Sequence, residues 1–137
     1  MSELFSPEWM CAYQAAWNAD VALVNALAGF NSVIGYGFPD EPKPRGVLTV
    51  VQGQVMTAEK YTGQSLNWDL RATPQQWQRW MQQGIDMMGL SLAYLIGKLK
   101  FKVGDYQAMI KNPLMAAPFV RSFAVMHQCE PCKQLAL

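Results

Sequence analysis

Charge is scarce in this chain. Only 15% of the residues are charged while 51% are hydrophobic, and the charged share falls well under the usual quarter of a globular domain. The net charge is +1 and no block of like charges forms a tail, so no global field attracts nucleic acid, and no nucleic-acid partner is expected. Histidine is nearly absent: His127 stands alone, far along the chain. The ten carboxylates are scattered, mostly at caps and loops such as Glu8, Asp40, Glu41, Asp86 and Asp105. These residues compose no Ser-His-Asp or Cys-His arrangement, and no glycine-rich loop offers to cradle a phosphate. Neither free-standing catalysis nor a cofactor is expected. Three cysteines make no disulfide framework, and Cys11 reads as a small hydrophobe on a buried helix face. The longest apolar run, Met87 to Gly97, is too short to cross a bilayer and contains Ser91. The opening Met1-Ser2-Glu3-Leu4-Phe5-Ser6-Pro7-Glu8 has neither the basic nor the apolar region of a secretory signal. The expectation is a soluble cytoplasmic protein of one domain, since 137 residues suffice for a core without staples.

What is present begins with a helix signal. Ser6 suits the cap, Pro7 the first helical position and Glu8 the positive end. Met10, Tyr13, Trp17, Val21, Val24 and Leu27 then recur at spacings of three and four, which predicts one apolar face over five turns. Ser32 to Phe38 reads as a strand. The stretch Pro39 to Gly46 holds three prolines and reads as a stiff surface loop. Val47 to Val51 and Gln54 to Lys60 predict a hairpin turning at Gln52-Gly53. Leu66, Trp68, Leu70 and Ala72 alternate with Asn67, Asp69 and Arg71 in a further strand, whose Asp69 and Arg71 read as a solvated ion pair of small weight.

The period then changes from two to 3.6. Thr73-Pro74-Gln75-Gln76 carries cap, first-position proline and capping-box glutamine, with Trp77, Trp80, Met81 and Ile85 as the apolar side. Met87 to Ile96 predicts another helix on which Met88, Leu92, Leu95 and Ile96 share a face. From Lys98 to Val103 a strand places Leu99, Phe101 and Val103 on a dry face and Lys98, Lys100 and Lys102 on a cationic one. Asp105 caps a short helix, Asn112-Pro113 restarts another, and Pro118 is expected to kink or break it. The order predicts an α+β domain, with an antiparallel-rich sheet covered by helices on one face and the lysines facing solvent or blunting a sheet edge. The Met- and Phe-rich run from Tyr106 to Met126 offers adaptable apolar surface, which suggests a cavity beside the core.

The segment Leu66-Asn67-Trp68-Asp69-Leu70-Arg71-Ala72-Thr73-Pro74-Gln75-Gln76-Trp77, the amphipathic helix after it, and Gly97-Lys98-Leu99-Lys100-Phe101-Lys102-Val103-Gly104-Asp105-Tyr106-Gln107-Ala108-Met109 together resemble the sterol carrier protein (sterol-transfer, lipid-carrier) domain family. The likeness spans residues 6 to 126, the N-terminal half matching in element order alone. It implies a five-stranded mixed, largely antiparallel sheet and a helical layer enclosing an apolar tunnel for lipids or fatty acyl groups. Val103 before Gly104, Pro118 and the cysteine-bearing end depart from the family pattern. The implied organisation is a lipid-binding domain over residues 1–127 and a C-terminal tail over 128–137.

The tunnel candidates are Met81, Ile85, Met88, Leu92, Leu95, Met109, Met115, Phe119, Phe123 and Met126. Methionine adapts to varied apolar shapes, although any single member of the set serves equally well as core. Burying ~10 methylenes of a ligand yields a gross gain of about 8 kcal/mol, and the freedom lost on binding leaves an affinity of roughly micromolar order. The function expected is non-catalytic binding and transfer of a lipid or fatty acyl ligand, with transient membrane contact. Lys98, Lys100 and Lys102 are available to steer anionic headgroups. A first alternative is a protein-interaction role, as a homodimer through the apolar C-terminal helix or as an accessory subunit of an enzyme on acyl substrates. A second is a zinc or redox site at His127, Cys129 and Cys132. No metal is expected there, because a second ligand pair is missing and Cys11 would have to come close to complete the set.

Overall fold

Local signals start most of the elements. The structure, a computed structural model, describes residues 4–136; residues 1–3 and 137, the outer ends of the expected domain and tail, lie outside the described residues. The Ser6 hydroxyl accepts from the Trp9 N–H at 3.2 Å, and α1 (Pro7–Ala19) follows. The helix does not run the five turns its apolar spacing predicts. Asp20 leaves helical geometry and ends α1, and its carboxylate caps α2 (Val21–Ala26) through the Leu23 N–H at 3.1 Å. A side chain that satisfies an orphan helix donor competes with helix continuation at its own position. The break turns Val21 outward while Leu23 and Leu27 stay buried. Cys11 is exposed, contrary to expectation: Trp9, Met10, Tyr13 and Trp17 occupy the inner face of α1.

The strands are β1 (Ser32–Gly37), β2 (Gly46–Val51), β3 (Gln54–Lys60), β4 (Trp68–Arg71) and β5 (Lys100–Val103), in the spatial order β3-β2-β1-β4-β5. All pairings are antiparallel except β1 with β4. The hairpin turns at Gln52 (φ 52°) and Gly53 (φ 80°), the two positive dihedrals that match a turn to sheet twist. The lysine-bearing β5 is an edge strand, as expected, and a register shift after Asp69 leaves Val103 part-exposed instead of on the dry face.

The parallel register sets Ile34 beside Trp68 and Tyr36 beside Leu70, while Gly35 lies beside Asp69 and Gly37 beside Arg71. Alternation sends the first set toward the helices and the second to the other face. That other face is not open to water. The 39–45 loop folds over it, and a Cβ on Gly37 would lie 2.9 Å from Pro44 Cα. Asp69 and Arg71 are therefore buried, with side chains 7% and 1% exposed, so the solvated-pair reading is overturned.

On the helical side stand α3 (Pro74–Gln83), capped by Thr73, α4 (Met87–Leu95), α5 (Tyr106–Ile110) and α6 (Pro113–Gln128). Pro118 neither breaks nor ends α6. The carbonyl it deprives of a partner belongs to Leu114, a residue 77% exposed, where water substitutes. Phe123, Val125 and Met126 of α6 pack into the chain's own core, while Leu114 near its start stays exposed. The expected tail is also part of the fold. It forms α7 (Glu130–Leu135), whose Cys132 carbonyl accepts from Trp9 Nε1 at 3.0 Å and whose following Ala136 carbonyl accepts from Gln78 Nε2 at 2.8 Å.

Candidate functional site

An apolar pocket lies where the sheet meets α5 and α6. Its floor is the inward row of the sheet, Ile34 and Tyr36 from β1 with Trp68 and Leu70 from β4. Trp17, Leu27 and Phe30 close one side, and Met109, Met115, Pro118, Phe119 and Ser122 the other. Strand alternation brings the floor residues together, and the cap at Asp105 and restart at Asn112 turn the two helices over them.

No wall residue is acidic, basic or a thiol, and polar atoms of Trp17 and Ser122 are engaged within the protein. Trp17 Nε1 donates to the Gly53 carbonyl at 3.0 Å, and Ser122 Oγ donates to the Phe119 carbonyl at 2.6 Å. Burial pushes the Tyr36 phenol well above its ordinary range, against a smaller opposing effect from its hydrogen bond with Tyr13, so it stays neutral at physiological pH. Among the described residues, no buried side-chain nitrogen or oxygen lacks a partner. Such walls offer contact to apolar matter and no fixed point for a polar head.

The space is narrow. Free volume inside the pocket is about 40 Å³, and the whole cleft, including its solvent-open part, encloses about 450 Å³. Sites for drug-sized ligands run to roughly 300–1,000 Å³. An open tunnel, as the family resemblance implies, is therefore not what the walls form, and an acyl chain needs Met109, Met115 and Phe119 to move. A wider hollow of about 680 Å³ between the N-terminal turn and the 41–45 loop includes Glu41, Lys43, Arg45 and Lys60, a lining ill suited to hydrocarbon.

Of the expected tunnel residues, Met109, Met115 and Phe119 line the pocket. Phe123 sits behind it, 5.2 Å from Phe119 and stacked on Trp77 at 6.0 Å between centroids. Met81 and Met126 are core, and Ile85 is half-buried against it. Met88, Leu92 and Leu95 point the other way and are exposed to water. The expectation missed the floor residues and Trp17, although the alternation of Ile34 with Tyr36 and of Trp68 with Leu70 already marked one face.

At the C-terminal end, the His127 Nδ1–H donates to the Met81 carbonyl at 2.6 Å, and Cys129 Sγ caps α7 by accepting from the Cys132 N–H at 3.2 Å. Burial raises the Cys132 thiol far above its ordinary range, reinforced by neighbouring Cys129. Among the described residues, no group of three His, Cys, Asp or Glu side chains is placed to hold a metal, and none of the described helices is long and apolar enough to cross a membrane.

No family model matches the sequence, and no curated protein matches it. Solved structures do. A crystal structure of sterol carrier protein 2 superposes with a TM-score of 0.74 at 22% identity, over 92% of this chain and 98% of that one. A Thermus thermophilus protein whose description suggests a sterol carrier protein gives 0.68 at 20%, over 99% of this chain and 92% of its own. The ubiquinone synthesis protein UbiJ-SCP2 gives 0.57 at 15%, over 88% and 87%. Identities this low speak for shape: the chain has the α+β fold of sterol carrier protein 2.

Proposed function

We propose that the protein is a non-catalytic carrier that takes up a fatty acyl chain or similar apolar molecule reversibly between its sheet and α5–α6, working in the cytoplasm. The observation that carries this reading is the pocket's lining, which is mostly apolar, holds no acidic, basic or thiol side chain and leaves no buried side-chain nitrogen or oxygen unpaired among the described residues. Structural similarity to sterol carrier protein 2 supports it. Uptake needs the pocket to widen, and the α5–α6 wall is the side built to yield. Met109 and Met115 have three rotatable bonds each, and the Lys111–Asn112 joint separates the five-residue α5 from the sixteen-residue α6. The apolar area a ligand buries offsets the packing energy given up when that wall moves.

Titration with a fluorescent fatty acyl probe tests the reading, together with native mass spectrometry of freshly purified protein. Saturable binding at micromolar order, displaced by unlabelled fatty acid and weakened in Met115→Gln and Phe119→Asn, is the expected result. A protein that binds no acyl or polycyclic probe and carries no lipid from purification refutes it.

A further inference from the structure

The outer face of α4 holds four large apolar side chains in water. Met88, Leu92 and Leu95, spaced along one face from the first turn of the helix to its last residue, and Ile96 at its C-cap are 81%, 57%, 76% and 56% exposed. The inner face, with Leu90 and Ala93, is the one that packs. Two residues beyond Ile96 a cationic row begins, Lys98, Lys100 and Lys102, all exposed, and none of them is ion-paired among the described residues. Lys98 and Lys100 also wall a hollow of about 320 Å³ with Arg71, Thr73 and Gln76, and no acid lines it. Arg71 is held by Asp69, so the free charge there belongs to the lysines. Residues 84–111 contain four lysines against two aspartates, net +2, in a chain of +1. Both aspartates are occupied as helix caps, Asp86 by the Gly89 N–H and Asp105 by the Ala108 N–H.

We infer that α4 and the lysines following it form a docking face for an anionic phospholipid bilayer. The apolar side chains enter the headgroup–acyl boundary while the lysines meet phosphate and carboxylate headgroups, the pairing that holds interfacial helices. Size and charge favour this occupant over a protein. Four exposed apolar side chains are few against the roughly 20–30 residues that each partner brings to a stable protein interface. A second copy, related by two-fold symmetry, would bring the same unpaired lysines together. This face is distinct from the pocket, and the inference stands or falls apart from the carrier reading.

Vesicle flotation with the full chain tests it, using phosphatidylcholine vesicles with and without phosphatidylserine. The expected result is binding to the phosphatidylserine vesicles that weakens as salt rises. Leu92→Glu with Leu95→Glu lowers that binding by about tenfold or more. Lys98→Gln with Lys100→Gln and Lys102→Gln lowers it by about fivefold per lysine. Both variants change exposed positions and keep the native circular dichroism spectrum and the acyl-probe affinity of the parent. Absence of binding to phosphatidylserine vesicles overturns the inference, as does binding unchanged by the leucine pair. A concentration-dependent dimer that the leucine pair dissolves also overturns it, since a second copy then covers the face. Loss of acyl-probe binding in a protein that still floats refutes the carrier reading alone.

Discussion

Replacing Asp69 by alanine is a severe test of how the sheet's second face is held. Asp69 Oδ1 accepts from Arg71 Nε at 2.6 Å and Oδ2 from Nη2 at 3.0 Å, while Arg71 Nη1 donates to the carbonyls of Phe38 at 3.0 Å and Glu41 at 2.7 Å. The guanidinium thus ties β4 to the proline-rich loop that buries it. Asp69→Ala leaves a buried cation facing two carbonyls, and breaking one side of such a pair costs about 3–5 kcal/mol, a large share of a typical stability of about 5–15 kcal/mol. With an unfolding entropy of about 2.1 cal/mol/K per residue, the melting temperature falls by roughly 10–17 °C. Replacing both partners, Asp69→Leu with Arg71→Met, removes the stranded charge and recovers most of the loss. Urea unfolding followed by tryptophan fluorescence, with thermal melts of both variants, measures these differences. A cost under about 1 kcal/mol for Asp69→Ala, the worth of an exposed pair, would refute the reasoning, and so would a double variant no better than the single one.

Three further outcomes are expected. Burial works to raise the Asp20 carboxyl but is outweighed by hydrogen bonds from Arg121 and the Leu23 N–H, so its pKa lies below the ordinary value. The stability this contributes is present above the unfolded carboxyl pKa of about 3.9 and is lost as pH falls through the lower folded value; in melts across that acid range, Asp20→Asn shows a shallower decline, at a cost near neutral pH of about 1 kcal/mol. A thiol reagent added to native protein modifies exposed Cys11 quickly, and Cys129 and Cys132 only at the rate of unfolding, because both are buried; mass spectrometry of the time course shows one early adduct, or three at once if the α7 packing is wrong. Gly53→Ala puts a Cβ 2.5 Å from the Val24 carbonyl oxygen at a residue with φ +80°, and chemical denaturation should register a loss of about 2–4 kcal/mol.

Several elements were legible because their causes are local. Ser6-Pro7, Thr73-Pro74, Asp105 and Asn112-Pro113 start helices where a cap and a preset φ supply what the first turn needs. Gln52-Gly53 turns the hairpin, and the alternation in β1 and β4 marks the pocket floor. Asp20 was less legible, since a residue with a polar cap inside an apolar repeat can continue a helix or end one. The choice went to the break that lets Asp20 accept from Arg121 of α6 at 3.0 Å, a contact across the fold that periodicity does not contain.

By itself the sequence determined which residues share a face, because helix and strand periods are properties of the backbone alone. It sufficed for an α+β chain with the order of elements that this fold requires. Which face meets the core was decided by tertiary structure. Met88, Leu92 and Leu95 do share one side of α4, but Leu90 and Ala93 took the interior and left them in water. Asp69 and Arg71 do share the polar side of β4, but the proline loop covered it, over glycines that leave room for close approach. The pocket depended on the same choice. An apolar side chain gains nearly the same free energy against any dry surface, so only the packing of every element at once selects the surface it meets.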